Sequence, residues 1–168
     1  MPQAVLTNQV TELSPSFGLN DEQRRSVAEV LSSCLADTYR LFIFTQGLHW
    51  NVQGPLFYSI HKLTESQYRD LFEAIDEIAE RVRMLGLPAP QSVADLTQSS
   101  DLEEPDSNAD LLSQIESLIA ANETVAMRLR AAAKRAEEAG DVKSVDLLTN
   151  RVGAHEENVW MLRATAAS

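Results

Sequence analysis

Apolar residues recur at intervals of three and four along most of this chain, the spacing that lays one hydrophobic stripe along a helix. The first run holds Val27, Val30, Leu31, Cys34, Leu35, Thr38, Leu41, Phe42, Thr45 and Leu48. It opens at Asn20, which with Gln23 three residues later forms a capping box, and Asp21 and Glu22 suit the first turn. The stripe persists to about Asn51, and Gly54 and Pro55 end it. A second run of about 29 residues starts near Phe57 and carries Ile60, Leu63, Tyr68, Leu71, Phe72, Ile75, Ile78, Ala79, Val82 and Leu85 before Gly86 and Pro88. Leu111, Ile115, Leu118, Ile119, Val125, Leu129 and Ala133 mark a third helix, with Ser107 and Asp110 available to cap it and Gly140 as its end. A fourth runs from about Val142 to Ala166.

No segment alternates apolar and polar residues as a half-buried strand does, so the chain is all-α. Two hairpin-length loops flank one connection of about 20 residues, rich in Pro and polar residues, with room for a short helix at Val93 to Leu96. That layout predicts a four-helix bundle with one long crossover carrying a short helix, the ferritin-like topology. Residues 1–19 hold Pro2, Pro15, Gly18 and a single charge, Glu12, and read as a flexible N-terminal tail; residues 20–168 form the bundle domain.

At 168 residues and 44% hydrophobic, the chain can bury one full core. Its formal charge of −11 repels free nucleic acid and anionic membrane and favours cations. The one cysteine, Cys34, has no ligand-spaced partner and reads as a small core filler. The first residues show no basic segment leading into an apolar stretch, and no run approaches the roughly 18 apolar residues of a spanning helix. A soluble, cytoplasmic protein is expected.

Only three histidines occur, His49, His61 and His155. Di-iron sites inside a bundle draw a Glu-x-x-His pair from each of two helices, but Gln46, Tyr58 and Val152 stand three residues before these histidines. An intra-bundle di-iron oxidase is therefore disfavoured. A different grouping remains: His49 at the end of the first helix, His61 and Glu65 at i, i+4 on the second, and Asp76 and Glu80 at i, i+4 further along it. Each pair lies on one helix face and can chelate a metal. An isolated Asp-x-x-x-Glu is more often a solvated face, with Glu77 and Arg81 at hand for surface pairing; the weight rests on the five residues together. The 15 residues from His61 to Asp76 span about 22 Å of helix, so one metal cannot touch both within a chain. Two copies packing their second helices antiparallel across a two-fold axis would create two equivalent shared sites. His155 reads as structural, and Trp50 and Trp160 as packing residues, although Trp50, beside a candidate ligand, can also quench oxidising equivalents.

The segment from His49 through Trp50, Asn51, Val52, Gln53, Gly54 and Pro55 to Phe57, then His61, then Asp76 to Gly86 resembles the Dps family, the mini-ferritins. The likeness covers roughly residues 20 to 166, including Asp146-Leu147-Leu148 and Trp160-Met161-Leu162-Arg163. It implies a hollow homo-oligomer, a dodecamer, that oxidises Fe(II) with hydrogen peroxide and stores ferric mineral. Carried over by position, His49, His61 and Glu65 are ligands from one subunit and Asp76 and Glu80 from its neighbour, with Trp50 beside the site. Iron is the implied metal, and zinc suits the same donors. Glu65 departs from the family's usual Asp, and the extra methylene bears on whether a second iron position is filled.

The resemblance also implies iron-entry pores lined by acidic residues near the start of the last helix, which matches Asp146, with Asp141 as second choice; the competing reading is two acids favoured by the helix dipole. Family members that bind DNA use a Lys-rich tail, whereas this chain has only Lys62, Lys134 and Lys143 and no basic residue in its first 20 positions. Weak phosphate neutralisation predicts negligible DNA binding. The alternative function is a structural or nucleoid-associated shell with a vestigial or zinc-filled metal site.

Overall fold

The computed structural model describes residues 13–98, 100 and 102–167. The first twelve residues of the expected tail lie outside this range. Five helices follow in order: α1 (Asp21–Asn51), α2 (Phe57–Met84), α3 (Val93–Gln98), α4 (Leu111–Glu138) and α5 (Val142–Ala166). No strand occurs among the described residues, and no helix is long and apolar enough to cross a membrane. The four long helices match the four runs of apolar spacing, and the short helix of the crossover extends two residues beyond Leu96.

Local chemistry sets the ends. Asn20 accepts from the Gln23 backbone N–H at 2.9 Å while the Gln23 side chain accepts from the Asn20 N–H at 2.8 Å, so the capping box closes. The same Gln23 amide donates to Ala139 O at 3.0 Å, tying the start of α1 to the α4–α5 turn. Asp110 caps α4 through Ser113, without Ser107, and Asp141 caps α5 through Ser144. Within the stripe of α1, Thr38 and Thr45 are buried because their hydroxyls donate back to Cys34 O and Leu41 O, one turn earlier.

Neighbours around the bundle are α1 with α2, α1 with α4, α2 with α5, and α4 with α5. Arg81, late in α2, meets Asp141 at the start of α5, and Gln23 at the start of α1 reaches Ala139 at the end of α4. Both pairings are therefore antiparallel, α2 and α4 run the same way, and the crossover must travel the length of the bundle. It is fastened midway by a polar knot. Buried Asp37 accepts from Ser100 Oγ and from Arg128, each at 2.6 Å, and Arg40 donates to Ser100 O at 2.6 Å. The core between the helices is built from Leu31, Leu35, Leu41, Ile60, Leu71, Ile78, Ile115, Leu129, Leu148 and Leu162. Cys34 packs there, and burial pushes its thiol up to about 12, which keeps it a neutral filler.

The turn after α2 depends on a close approach. Gly86 has φ +94°, and a Cβ there would lie 2.2 Å from Leu13 O. Leu13 N donates to Gly86 O at 2.7 Å, and buried Arg24 donates to Leu85 O at 2.7 Å and Leu13 O at 3.2 Å. Residue 13, within the expected tail, is thus held against the α2 exit.

Candidate functional site

The loop between α1 and α2 is short, and Gly54 with φ +87° lets it turn tightly. His49 near the end of α1 and His61 in the second turn of α2 consequently face each other. Their rings stack with centroids 3.9 Å apart and planes inclined by 18°. Each ring is fixed by the other residue's backbone: His49 Nδ1 bonds His61 O at 2.9 Å, and His61 Nδ1 bonds His49 O at 3.0 Å. A carbonyl oxygen only accepts, so both Nδ1 atoms carry the proton, and in the neutral rings both Nε2 atoms present a lone pair. This second-sphere arrangement orients histidine ligands in metal sites. Phe57 stacks on His61 at 5.1 Å, and the edge of Tyr68 meets His49 at 5.1 Å.

Glu65 lies one turn beyond His61 and is partly exposed. Lys62 donates to its Oε2 at 2.8 Å and Arg69 to its Oε1 at 2.7 Å. The hydrogen bond from Lys62, helped by the charges of Lys62 and Arg69, holds the Glu65 carboxyl below the usual carboxylate range. Glu65 is thus an anion whose counter-ions in the single chain are Lys62 and Arg69.

Asp76 and Glu80 are exposed and make no hydrogen bond or ion pair with the described residues. They share one stripe of α2 with His61 and Glu65, because eleven residues, the step from Glu65 to Asp76, close about three helical turns. Phe72 sits on the same stripe and is 64% exposed. Among the described residues no three His, Cys, Asp or Glu side chains of the single chain converge as a metal site would require. The five candidate ligands therefore form two separate groups: the histidine pair with Glu65, and the acid pair.

The residues around these groups are arranged differently from the sequence expectation in several places. Arg81 does not pair on the surface with Asp76 or Glu80. It is 11% exposed, turns to α5, and donates to both oxygens of Asp141 at 2.7 and 2.8 Å and to Ser144 Oγ at 2.9 Å. Asp141, named for a pore, is only 3% exposed and faces Arg81 and Ser144. Asp146 is exposed, with Lys143 Nζ 2.9 Å from its carboxylate. Trp50 and Trp160 are 70% and 64% exposed rather than packed in the core of the chain, and Trp50 is outside the ring contacts that link His49, His61, Phe57 and Tyr68. His155 is fully buried, its Nδ1 bonded to Asn122 Oδ1 at 2.9 Å. Sequence reasoning missed Tyr68 as a neighbour of the histidines. Its spacing of seven from His61 was a signal, but that spacing also marks core residues.

Comparison with known proteins places the geometry in context. The ferritin-like domain family matches residues 28–167. The chain is 38% identical over 151 residues to a low temperature-induced protein of Nostoc sp., covering 89% of this chain and 84% of that one. It is 32% identical over 149 residues to the DNA protection during starvation protein of Porphyromonas gingivalis, covering 89% and 94%. Among solved structures, the Dps protein of Vibrio cholerae, described as a member of a broad superfamily of ferritin-like diiron-carboxylate proteins, superposes with a TM-score of 0.81 at 28% identity, covering 90% of this chain and 98% of that one.

Proposed function

Because the chain belongs to the Dps family of ferritin-like proteins, we propose that it is a subunit of a homo-oligomeric, dodecameric shell that oxidises Fe(II), preferentially with hydrogen peroxide, and stores the ferric product. The observation that carries this reading is a donor set that is chemically complete but divided along α2. His49 and His61 offer two oriented nitrogens and Glu65 an ionised carboxylate, while Asp76 and Glu80 lie unpaired about 22 Å away along the helix. The positions are symmetric: residues 61 and 80, and residues 65 and 76, share a midpoint between residues 70 and 71. A two-fold axis crossing α2 there sets His61 of one copy beside Glu80 of the other, and Glu65 beside Asp76. Exposed Phe72, next to that axis, supplies apolar contact for the pairing.

Imidazole and carboxylate together suit Fe(II) and stabilise Fe(III) further through negative charge; zinc fits the same donors. Two Fe(II) ions held together deliver two electrons to one peroxide, which avoids the hydroxyl radical of one-electron reduction. Lys62 and Arg69 release Glu65 as metal binds, and re-pair with it as Fe(III) leaves for nucleation on internal acidic groups. Asp146, exposed near the start of α5, lines the entry pore and attracts Fe(II). Asp141 acts through the helix cap and Arg81 instead. The reaction takes place in the cytoplasm, and the paucity of lysine leaves DNA affinity negligible at physiological salt.

The test is anaerobic Fe(II) loading followed by separate pulses of peroxide and oxygen, in the native protein and in Asp76→Ala. Oxidation near two irons per peroxide, faster than with oxygen and lost in the variant, is expected. Equal, slow oxidation in both proteins would reject the ferroxidase and leave the structural, zinc-filled shell.

A further inference from the structure

A continuous series of aromatic rings leads away from the histidine pair along the α1–α2 seam. His61 stacks on His49, Tyr68 meets His49 edge-on at 5.1 Å, Phe42 lies 6.3 Å beyond Tyr68, and Tyr39 lies 6.2 Å beyond Phe42. These centroid separations are those of rings in direct packing contact. The series ends at Tyr39, which is half-buried. The chain has three tyrosines in all, and the third, Tyr58, is 72% exposed and outside the series.

The chemistry of the rings differs along this path. Phenylalanine and imidazole give up an electron reluctantly, whereas a phenol gives up an electron readily when its proton leaves as well. Of the rings touching the histidines, Tyr68 is therefore the one suited to reduce an oxidant held there. The need arises when a single Fe(II) meets peroxide, because one iron supplies one electron and cleavage of the O–O bond to water and hydroxide requires two.

Resting on the ferroxidase reading above, we infer that Tyr68 supplies the second electron when peroxide is reduced at a singly occupied site, and that Tyr39, reached past Phe42, is the next station for the oxidising equivalent. In the first step Fe(II) and Tyr68 each lose one electron, the phenolic hydrogen leaves as a proton, and the O–O bond breaks. One water, one hydroxide, Fe(III) and a neutral tyrosyl radical result. In the second step Tyr39 loses an electron and its phenolic proton, and Tyr68 gains an electron and a proton and is a phenol again. The radical then stands one ring beyond Phe42, away from the metal ligands. Trp50 shares no ring contact with the histidines within the single chain, and deuteration of tyrosine separates a tyrosyl signal from one on a tryptophan.

The experiment loads the intact assembly anaerobically with one Fe(II) per site, adds one equivalent of hydrogen peroxide, and follows frozen samples by electron paramagnetic resonance. Protein made with ring-deuterated tyrosine is measured alongside, which assigns the radical without any substitution. The native protein is expected to give a signal that narrows on deuteration. Tyr68→Phe, which keeps the ring and the packing, loses that signal; Tyr39→Phe retains it for longer on Tyr68; Tyr58→Phe leaves it unchanged. A signal indifferent to deuterated tyrosine, or equally strong in Tyr68→Phe, overturns the inference. Iron oxidation without any protein radical overturns it too while leaving the ferroxidase standing. Absence of both radical and iron oxidation in the native protein would instead reject the ferroxidase itself.

Discussion

Replacing Arg81 by Met would leave Asp141 as a buried carboxylate without its cation. In the native chain the guanidinium and the carboxylate are 11% and 3% exposed and share two hydrogen bonds, with a third from Arg81 Nε to Ser144 Oγ. Removing one member of a buried pair costs about 3–5 kcal/mol, chiefly through the stranded charge. Asp141 would retain the Ser144 backbone N–H and hydroxyl, which offset part of the loss, so about 3 kcal/mol per chain is expected. The double variant Arg81→Met with Asp141→Ser has no stranded charge and keeps a capping side chain, and should be more stable than the sum of the single effects by about 1–2 kcal/mol. The assay is urea denaturation followed by circular dichroism at one fixed protein concentration, because subunit assembly links stability to concentration. The bridge also carries an acid dependence. Burial works to raise the Asp141 pKa, but the hydrogen bonds from Arg81 and Ser144 outweigh it and hold it below the ordinary 3.8. Its stabilisation is complete above that value and fades as pH falls below it. A shift under about 0.5 kcal/mol in Arg81→Met, the range of an ordinary surface change, or strict additivity in the double variant, would refute the assignment of this arginine to the α2–α5 contact.

Gly86→Ala should lose about 2–4 kcal/mol in the same assay, from left-handed backbone strain and from the 2.2 Å approach of the new Cβ to Leu13 O; a loss under about 1 kcal/mol would show that the segment at Leu13 yields at little cost. His155 is held neutral by burial, and also by the nearby charge of Arg151, which lower its pKa from 6.5 to about 3. The unfolded chain therefore takes up the proton first, and stability should fall by about 2 kcal/mol per chain between pH 7 and pH 5. His155→Leu removes that contribution, and an unchanged pH slope in the variant would place the dependence elsewhere.

The four long helices and their ends could be read from the sequence because their causes are local. Spacing of three and four fixes the stripe, and the Asn20–Gln23 box requires only residues within one turn. The partners joined across helices were less legible. Arg81 follows Glu80 directly in sequence, yet one residue of helix rotates the side chain by about 100°, which is enough to take it from the acidic stripe to α5. The Ser100, Asp37 and Arg128 knot joins residues more than 60 positions apart, so no spacing rule announces it. Within the candidate site, the i, i+4 pairing of His61 with Glu65 and of Asp76 with Glu80 was visible at once. The mutual Nδ1 bonds of His49 and His61 were not, since they depend on how the Gly54 turn brings two helix ends together. Both tryptophans, read as packing residues from the sequence, lie exposed on the single chain.

The ion pairs divide the carboxylates of this acidic chain into two populations with different physical roles. Asp37, Asp70 and Asp141 each meet an arginine from another helix, Arg128, Arg151 and Arg81 respectively, and so hold the bundle together. Asp76, Glu77 and Glu80 meet no cation among the described residues. They occupy adjoining turns of α2, where like charges repel. With 14 basic residues against 25 acidic ones, and with Arg81, Arg128 and Arg151 engaged between helices, these three acids stand without a counter-ion in the single chain. Water and salt screen these exposed charges, and on the proposed reading the histidine-bearing end of another α2 would bring a cation to them. The arginines that join the helices pair with Asp37, Asp70 and Asp141 and leave Asp76, Glu77 and Glu80 of α2 free, which is the charge distribution that the proposed shared site requires.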